Sequence, residues 1–374
     1  MIILTFPKSL TKEGFIQFLA SLATLSVFTY VPYWGNVIGL TDPEIALTAT
    51  LFGIVAFSSG LLAGRLSDLI GVRKIFVIIG LLSGSITILG LVIPSKIEFI
   101  FFRAVSGIGL GIYSPALVAI VSDKGDKIGN FSAYGSFGWT VGVLISGIIG
   151  LFWVPAIFIF AALSLLGAAM VAINVKEEEA SKKYQDSYFS VFWERKRIYL
   201  ALAIRHSFAA SIWTFWPLFL VELGADTFWI AIIQCTNALT QTIIMNKFTD
   251  KMKNQHMVSL GLFLSTISFI SFTIPINFIG IIPTQVILGL SWAFLYVGTL
   301  RFSIEKSHFD KSTAAGIITS ILPVANILGS LIALMITSFG GSYTEIIIIA
   351  AFATFITFIV FIFLENKSLI SSVQ

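Results

Sequence analysis

The sequence predicts an all-α membrane protein with twelve transmembrane helices in two pseudo-symmetric six-helix bundles. Three observations predict it. The 374 residues are 57% hydrophobic and 11% charged, with a mean hydropathy of +0.96, whereas a soluble domain carries about 25% charge. Apolar runs of roughly 20 residues recur along the chain, long enough to cross a hydrocarbon core about 30 Å thick. Residues also recur at one fixed offset. Asp68 and Asp250, Arg103 and Gln285, Gly107 and Gly289, Asp123 and Glu305, and Gly147 and Gly329 all stand 182 positions apart. The runs are continuous rather than alternating, which excludes a membrane barrel and leaves helices.

The apolar segments fall at about 14–40, 44–63, 75–94, 97–121, 130–152, 154–175, 198–222, 226–247, 257–276, 279–301, 312–338 and 343–364. Residues 1–12 are too short and too weakly cationic for a signal peptide, so the first segment reads as a retained helix. The second ends in a charged island, Gly64-Arg-Leu-Ser-Asp68-Leu-Ile-Gly71-Val-Arg73-Lys74, with Asp68 at the end of helix 2. Helices 1, 4, 7 and 11 carry Pro32, Pro115, Pro217 and Pro323. Each proline removes a helix hydrogen bond, giving either a gate-forming kink or a static bend. Helix 5 carries Gly135, Gly138 and Gly142, which permit close helix contact. The longest break, 176–197, holds Glu177, Glu178, Glu179, Lys182 and Lys183. It reads as a cytoplasmic linker between an N-terminal bundle, 1–175, and a C-terminal bundle, 198–374. Its aromatic end, Tyr188 to Trp193, either lies along the membrane surface or belongs to the linker.

The distribution of basic residues gives an orientation. With both termini and the 64–74 island inside, 20 of the 23 lysines and arginines lie on the inner side; the other three are Lys96 outside and Arg103 and Arg205 within helices. This follows the positive-inside rule and supports a count of twelve, since one missed helix would scramble it. It predicts a multi-pass protein of the plasma membrane with both termini cytoplasmic. The net charge of +4 is accounted for loop by loop, with no nucleic-acid partner implied.

Cys235 is the single cysteine, so neither an intramolecular disulfide nor a cysteine metal cluster can form. The chain has no phosphate-binding glycine loop of the Gly-x-x-x-x-Gly-Lys-Ser/Thr kind, no acidic pair and no nucleophile constellation at membrane depth. An enzyme is therefore not expected, nor a cofactor or a metal. Ionisable groups at membrane depth are costly and are functional candidates by default. Here they are Arg103, Arg205 and His206, with no Asp or Glu near mid-membrane to pair with them. Either an anionic solute supplies the charge, or Arg103 bonds to backbone carbonyls and Arg205 snorkels to the inner surface, the favoured reading for Arg205. Gln234, Asn237 and Gln241 share one face of helix 8. Helix 1 offers Tyr30, Tyr33 and Asn36, helix 7 Trp213, and helix 10 Gln285 and Trp292.

Twelve helices in two halves, with the island between helices 2 and 3, resemble the major facilitator superfamily. The family loop pattern Gly-x-x-x-Asp-x-x-Gly-x-[Arg/Lys]-[Arg/Lys] is met by Gly64, Asp68, Gly71, Arg73 and Lys74, with Leu69 where an Arg is common. The helix 4 pattern Arg-x-x-x-Gly-x-Gly is met by Arg103, Gly107 and Gly109, with Ser106 replacing the usual Gln. The resemblance implies a secondary transporter that carries a small-molecule substrate by alternating access, as a monomer in the lipid bilayer. Helices 1, 4, 7 and 10 would line its cavity, where the polar and aromatic residues are concentrated. It also implies a conformational latch: Gly64, Asp68, Gly71, Arg73 and Asp123 in the first half, with Asp68 at the start of helix 11. A looser copy in the second half would use Asp250 and Glu305. Gly138-Trp139-x-x-Gly142 is similar to helix 5 of lactose permease, which suggests Trp139 as a stacking platform, although Ser132 replaces the sugar-binding Arg. His206 is the intramembrane group that titrates near neutrality and the candidate for proton coupling. The alternatives are efflux of amphipathic or drug-like compounds, against which the missing Gly-Pro motif on helix 5 counts, and a non-transporting sensor or scaffold.

Overall fold

The structure is a computed structural model that describes residues 11–124, 128–176, 192–247, 252, 254–305 and 311–371. Among these residues twelve long helices follow in chain order: α1 Lys12–Val37, α2 Asp42–Ile70, α3 Lys74–Leu89, α4 Lys96–Asp123, α5 Ile128–Phe152 and α6 Pro155–Ala172. They continue as α7 Lys196–Glu222, α8 Thr227–Lys247, α9 Asn254–Ser271, α10 Ile281–Glu305, α11 Lys311–Ser338 and α12 Tyr343–Ser371. Among the described residues eleven are long and apolar enough to cross a membrane, and the twelfth apolar helix, in α9, is shorter. The expected all-α membrane fold is therefore found.

Helix ends are set by local chemistry that hydropathy does not register. Thr41 and Ser342 each stand three residues before a glutamate. The Glu44 carboxylate accepts from the Thr41 N–H (2.7 Å), and the Glu345 carboxylate from the Ser342 N–H (2.7 Å). Ser342 Oγ in turn accepts from the Glu345 N–H (3.3 Å), which completes a capping box, whereas the Thr41 hydroxyl donates to Glu44 (3.0 Å); both carboxylates place a negative charge at the positive end of a helix. Before α4 it is the Ser95 hydroxyl that donates to the Glu98 carboxylate, and Asp226 accepts from the Trp229 N–H at the start of α8 (2.9 Å). The charged island is mostly helical, because α2 runs through Gly64 and Asp68 to Ile70. Gly71 ends it, with φ +74° and its N–H on the Ser67 carbonyl (2.9 Å). That left-handed conformation is one glycine adopts without a Cβ penalty. The connection to α3 is then only Gly71, Val72 and Arg73. At the other extreme, α12 continues to Ser371, beyond its apolar run. The four helix prolines sit inside α1, α4, α7 and α11 without ending them.

The chain divides into two compact units, Met1–Leu40 with Leu51–Lys182, and Thr41–Thr50 with Lys183–Gln374. In the first, α1 packs on α5 and α6, and α3 on α4 and α6. In the second, α7 packs on α11 and α12, and α9 on α10 and α12. This is the same pattern six helices later, as the 182-residue repeat requires. Apolar side chains gain little from leaving lipid, so helix association here rests on close approach, and glycine seams supply it. Gly107 faces the Phe52 carbonyl and Ala56 N–H, while its repeat partner Gly289 faces Thr240 and the Asn237 carbonyl. Gly80 of α3 meets Tyr113, and Gly261 of α9 meets Leu295, which stands 182 positions after Tyr113. Gly138 and Gly142 of α5 lie on the backbone of Phe18 and Leu22. The second unit centres on Tyr199, Leu202, Val258, Leu262, Leu295 and Ile318, all buried, with Phe192 packed against them.

Candidate functional site

Two polar clusters are buried within the second unit. In the first, Arg205 of α7 is 2% exposed. Its Nε donates to Ser265 Oγ (2.8 Å) and its Nη2 to Ser291 Oγ (3.4 Å), and the two serine hydroxyls are 2.5 Å apart. The guanidinium lies 5.3 Å from the ring centroids of both Phe269 and Trp292. Arg205 therefore does not snorkel. The serines of α9 and α10 hold its head inside the unit, where two aromatic faces offset part of the desolvation of its charge. His206, the next residue, leans on Trp292 (5.1 Å), which stacks on Tyr296 (5.4 Å). The buried Nδ1 of the imidazole has no partner among the described residues. A cation, an imidazole and two stacked rings thus share one place, with no carboxylate of the described residues beside them.

The second cluster lies on the polar face of α8. Asn237 Nδ2 donates to Gln285 Oε1 of α10 (3.0 Å), and Gln241 Nε2 donates to Asn237 Oδ1. Gln285 is fully buried and its Nε2 lacks a partner among the described residues. Gln234 is buried one turn before Asn237. Replacing Asn237 with leucine is expected to cost about 1–3 kcal/mol, since it orphans the buried amide of Gln285 and the half-buried one of Gln241; a thermal melt of the purified protein checks it.

The other candidates lie apart. Trp213 meets Trp216 edge to face (5.3 Å), and Trp216 packs on Phe272 (4.9 Å). Tyr30 is fully buried in the first unit, Tyr33 and Trp139 are half-buried, and Asn36 is exposed. Arg103 is 4% exposed, with Cζ 3.7 Å above the centroid of the Phe52 ring. Neither a backbone carbonyl nor a carboxylate of the described residues holds it. The side chains of Asp68, Asp123 and Glu305, and all of Asp250, lie outside the described residues, as does most of 176–197. Sequence reasoning missed Ser265, Ser291, Phe269 and Phe52. Each is a small or apolar residue in an apolar run, and only the fold gives it a charged neighbour.

The paired bundles and the capped island meet a direct comparison. Residues 14–308 match the model of the Major Facilitator Superfamily. The chain belongs to the major facilitator superfamily. Within it, Multidrug resistance protein 1 of Bacillus subtilis (strain 168) is 23% identical over 346 residues, 87% of this chain and 89% of that protein. An uncharacterized MFS-type transporter of Methanocaldococcus jannaschii is 21% identical over 351 residues, 86% of this chain and 90% of that one. Among solved structures, the peptide transporter POT in complex with sulfate has a TM-score of 0.77 at 16% identity, over 98% of this chain and 96% of its own. The nucleoside transporter NupG has a TM-score of 0.76 at 13% identity, over 94% and 97%. These structural likenesses are in fold. The chain is a multi-pass membrane protein of this transporter superfamily.

Proposed function

We propose that this superfamily member is a secondary active transporter that moves a small organic solute by alternating access. The observation that carries the reading is the cluster of Arg205, His206, Trp292 and Tyr296. A desolvated cation beside stacked rings, with no described carboxylate at hand, suits a solute that brings a negative charge or an aromatic face. The repeat-built architecture supports alternation, since repeat transporters rock one half against the other around a midplane site. In this reading the α2–α3 island, with Gly64, Asp68, Gly71, Arg73 and Asp123, latches one face, and Asp250 and Glu305 belong to its looser counterpart. The protein is read as a plasma-membrane monomer with cytoplasmic termini, and the proton as its coupling ion, carried by His206.

The test is a thermal-stabilisation screen of the purified protein against a broad metabolite panel, followed by proteoliposome uptake of each binder. A binder at about 100 times its Kd stabilises by about 2.7 kcal/mol. Anionic or aromatic solutes should stabilise the protein, and their uptake should respond to a pH gradient in wild type but not in His206→Ala. Binders that never accumulate above empty liposomes would count decisively against transport.

A second reading, efflux of amphipathic compounds, is favoured by the match to Multidrug resistance protein 1. It predicts that everted vesicles accumulate amphipathic dyes and lose them when the gradient collapses; the metabolite uptake assay stays flat in that case.

A further inference from the structure

We propose that a small cavity beside Arg103 in the first unit binds a single monatomic anion of chloride size. The cavity is lined by Thr24, Phe52, Arg103, Ser106 and Tyr113, among others, and has a volume of about 20 Å³. That is room for one water-sized occupant and not for an organic solute. Arg103 brings its charge there almost fully buried, and its Nε is buried without a hydrogen-bond partner among the described residues. The Phe52 ring face compensates only a fraction of the desolvation of a guanidinium. An anion in the cavity supplies the missing charge and accepts the unspent N–H.

The hydroxyls around the cavity narrow the choice. Ser106 donates to the Arg103 carbonyl (2.7 Å) and Thr24 to the Ala20 carbonyl (2.7 Å), so both protons are spent. Thr24 Oγ1 and the Tyr113 hydroxyl are 3.3 Å apart. With the threonine proton committed, Tyr113 is the donor of that long bond. Held only by that 3.3 Å bond, its proton is the one of the three that can be redirected toward an anion. The repeat provides a control. The position 182 residues after Arg103 is Gln285, a neutral amide that accepts from Asn237. The fold is thus built at this register without a cation, and the charge of Arg103 requires a separate partner.

The experiment is thermal unfolding of the full-length protein in detergent. Sodium chloride and sodium bromide are titrated against sodium gluconate at matched ionic strength. The halides are expected to raise Tm saturably in wild type and in Arg205→Gln, and not in Arg103→Gln. Tyr113→Phe, which keeps the charge and loses the donor, should raise the half-saturating halide concentration about tenfold and stands in if Arg103→Gln fails to fold. Equal responses to halide and gluconate would leave the cavity to water and overturn the proposal. So would an unchanged half-saturating concentration in Tyr113→Phe, or a wild-type halide response in Arg103→Gln. The readout is stability, so the result does not depend on whether the protein transports anything.

Discussion

Replacing Arg205 with glutamine is expected to lower solute uptake in proteoliposomes at least tenfold while leaving the melting temperature unchanged or raised. The two halves of this prediction have different physical origins. The guanidinium is fully desolvated and bonded to two neutral serines, with no carboxylate of the described residues to repay its lost hydration. Exchanging a buried charge for a neutral polar group of similar length relieves that cost, and glutamine can still reach Ser265 or Ser291. For a negatively charged solute, however, the charge is the recognition element, and a hydrogen bond to a charged group contributes about 1.5–3 kcal/mol. Arg205→Lys is expected to fail as well. An ammonium cannot bridge two serines while lying flat between Phe269 and Trp292. Uptake at the wild-type rate in Arg205→Gln, with the protein folded, would remove Arg205 from the transport site.

Replacing Gly138 with valine is expected to abolish the folded first unit, read as loss of the monodisperse species on size-exclusion chromatography in detergent. A Cβ at Gly138 would fall on the carbonyl oxygen of Phe18, and one at Gly142 on that of Leu22. Both obstacles are backbone, so α5 would have to move off α1 along its length. Overpacking usually costs about 1–3 kcal/mol. A β-branched residue against a main-chain atom belongs at the upper end, and in lipid there is little hydrophobic gain to offset it. Gly64→Val is the matched control. Nothing lies within 4 Å of a Cβ at Gly64, so its melting temperature should stay close to wild type.

Much of this architecture was legible because a membrane leaves so few solutions. Apolar length alone marked the spans, and the offset between Gly107 and Gly289 pointed to two copies of one building block; that both glycines sit at close helix contacts only the structure shows. The face of Gln234, Asn237 and Gln241 was readable from helical spacing. What it bonds to was not, since Gln285 lies 48 residues from Asn237. Arg205 was misread for the same reason. Its partners Ser265 and Ser291 lie 60 and 86 residues away, and a serine in an apolar helix carries no mark of the charge it will meet. The apolar run of α2 stops before Gly64, yet the helix was read on to Asp68, and the hydrogen-bond ladder runs to Ile70, where Gly71 can turn left-handed.

The caps at the starts of α2, α4 and α12 have a consequence for biogenesis. In each, donor and acceptor lie three residues apart, so the bonds need no partner helix to close. At α2 and α12 the N-cap N–H is satisfied in this way, so that amide is not carried bare into hydrocarbon. Helix starts of this kind are finished locally, and bundle assembly is left to pack completed helices.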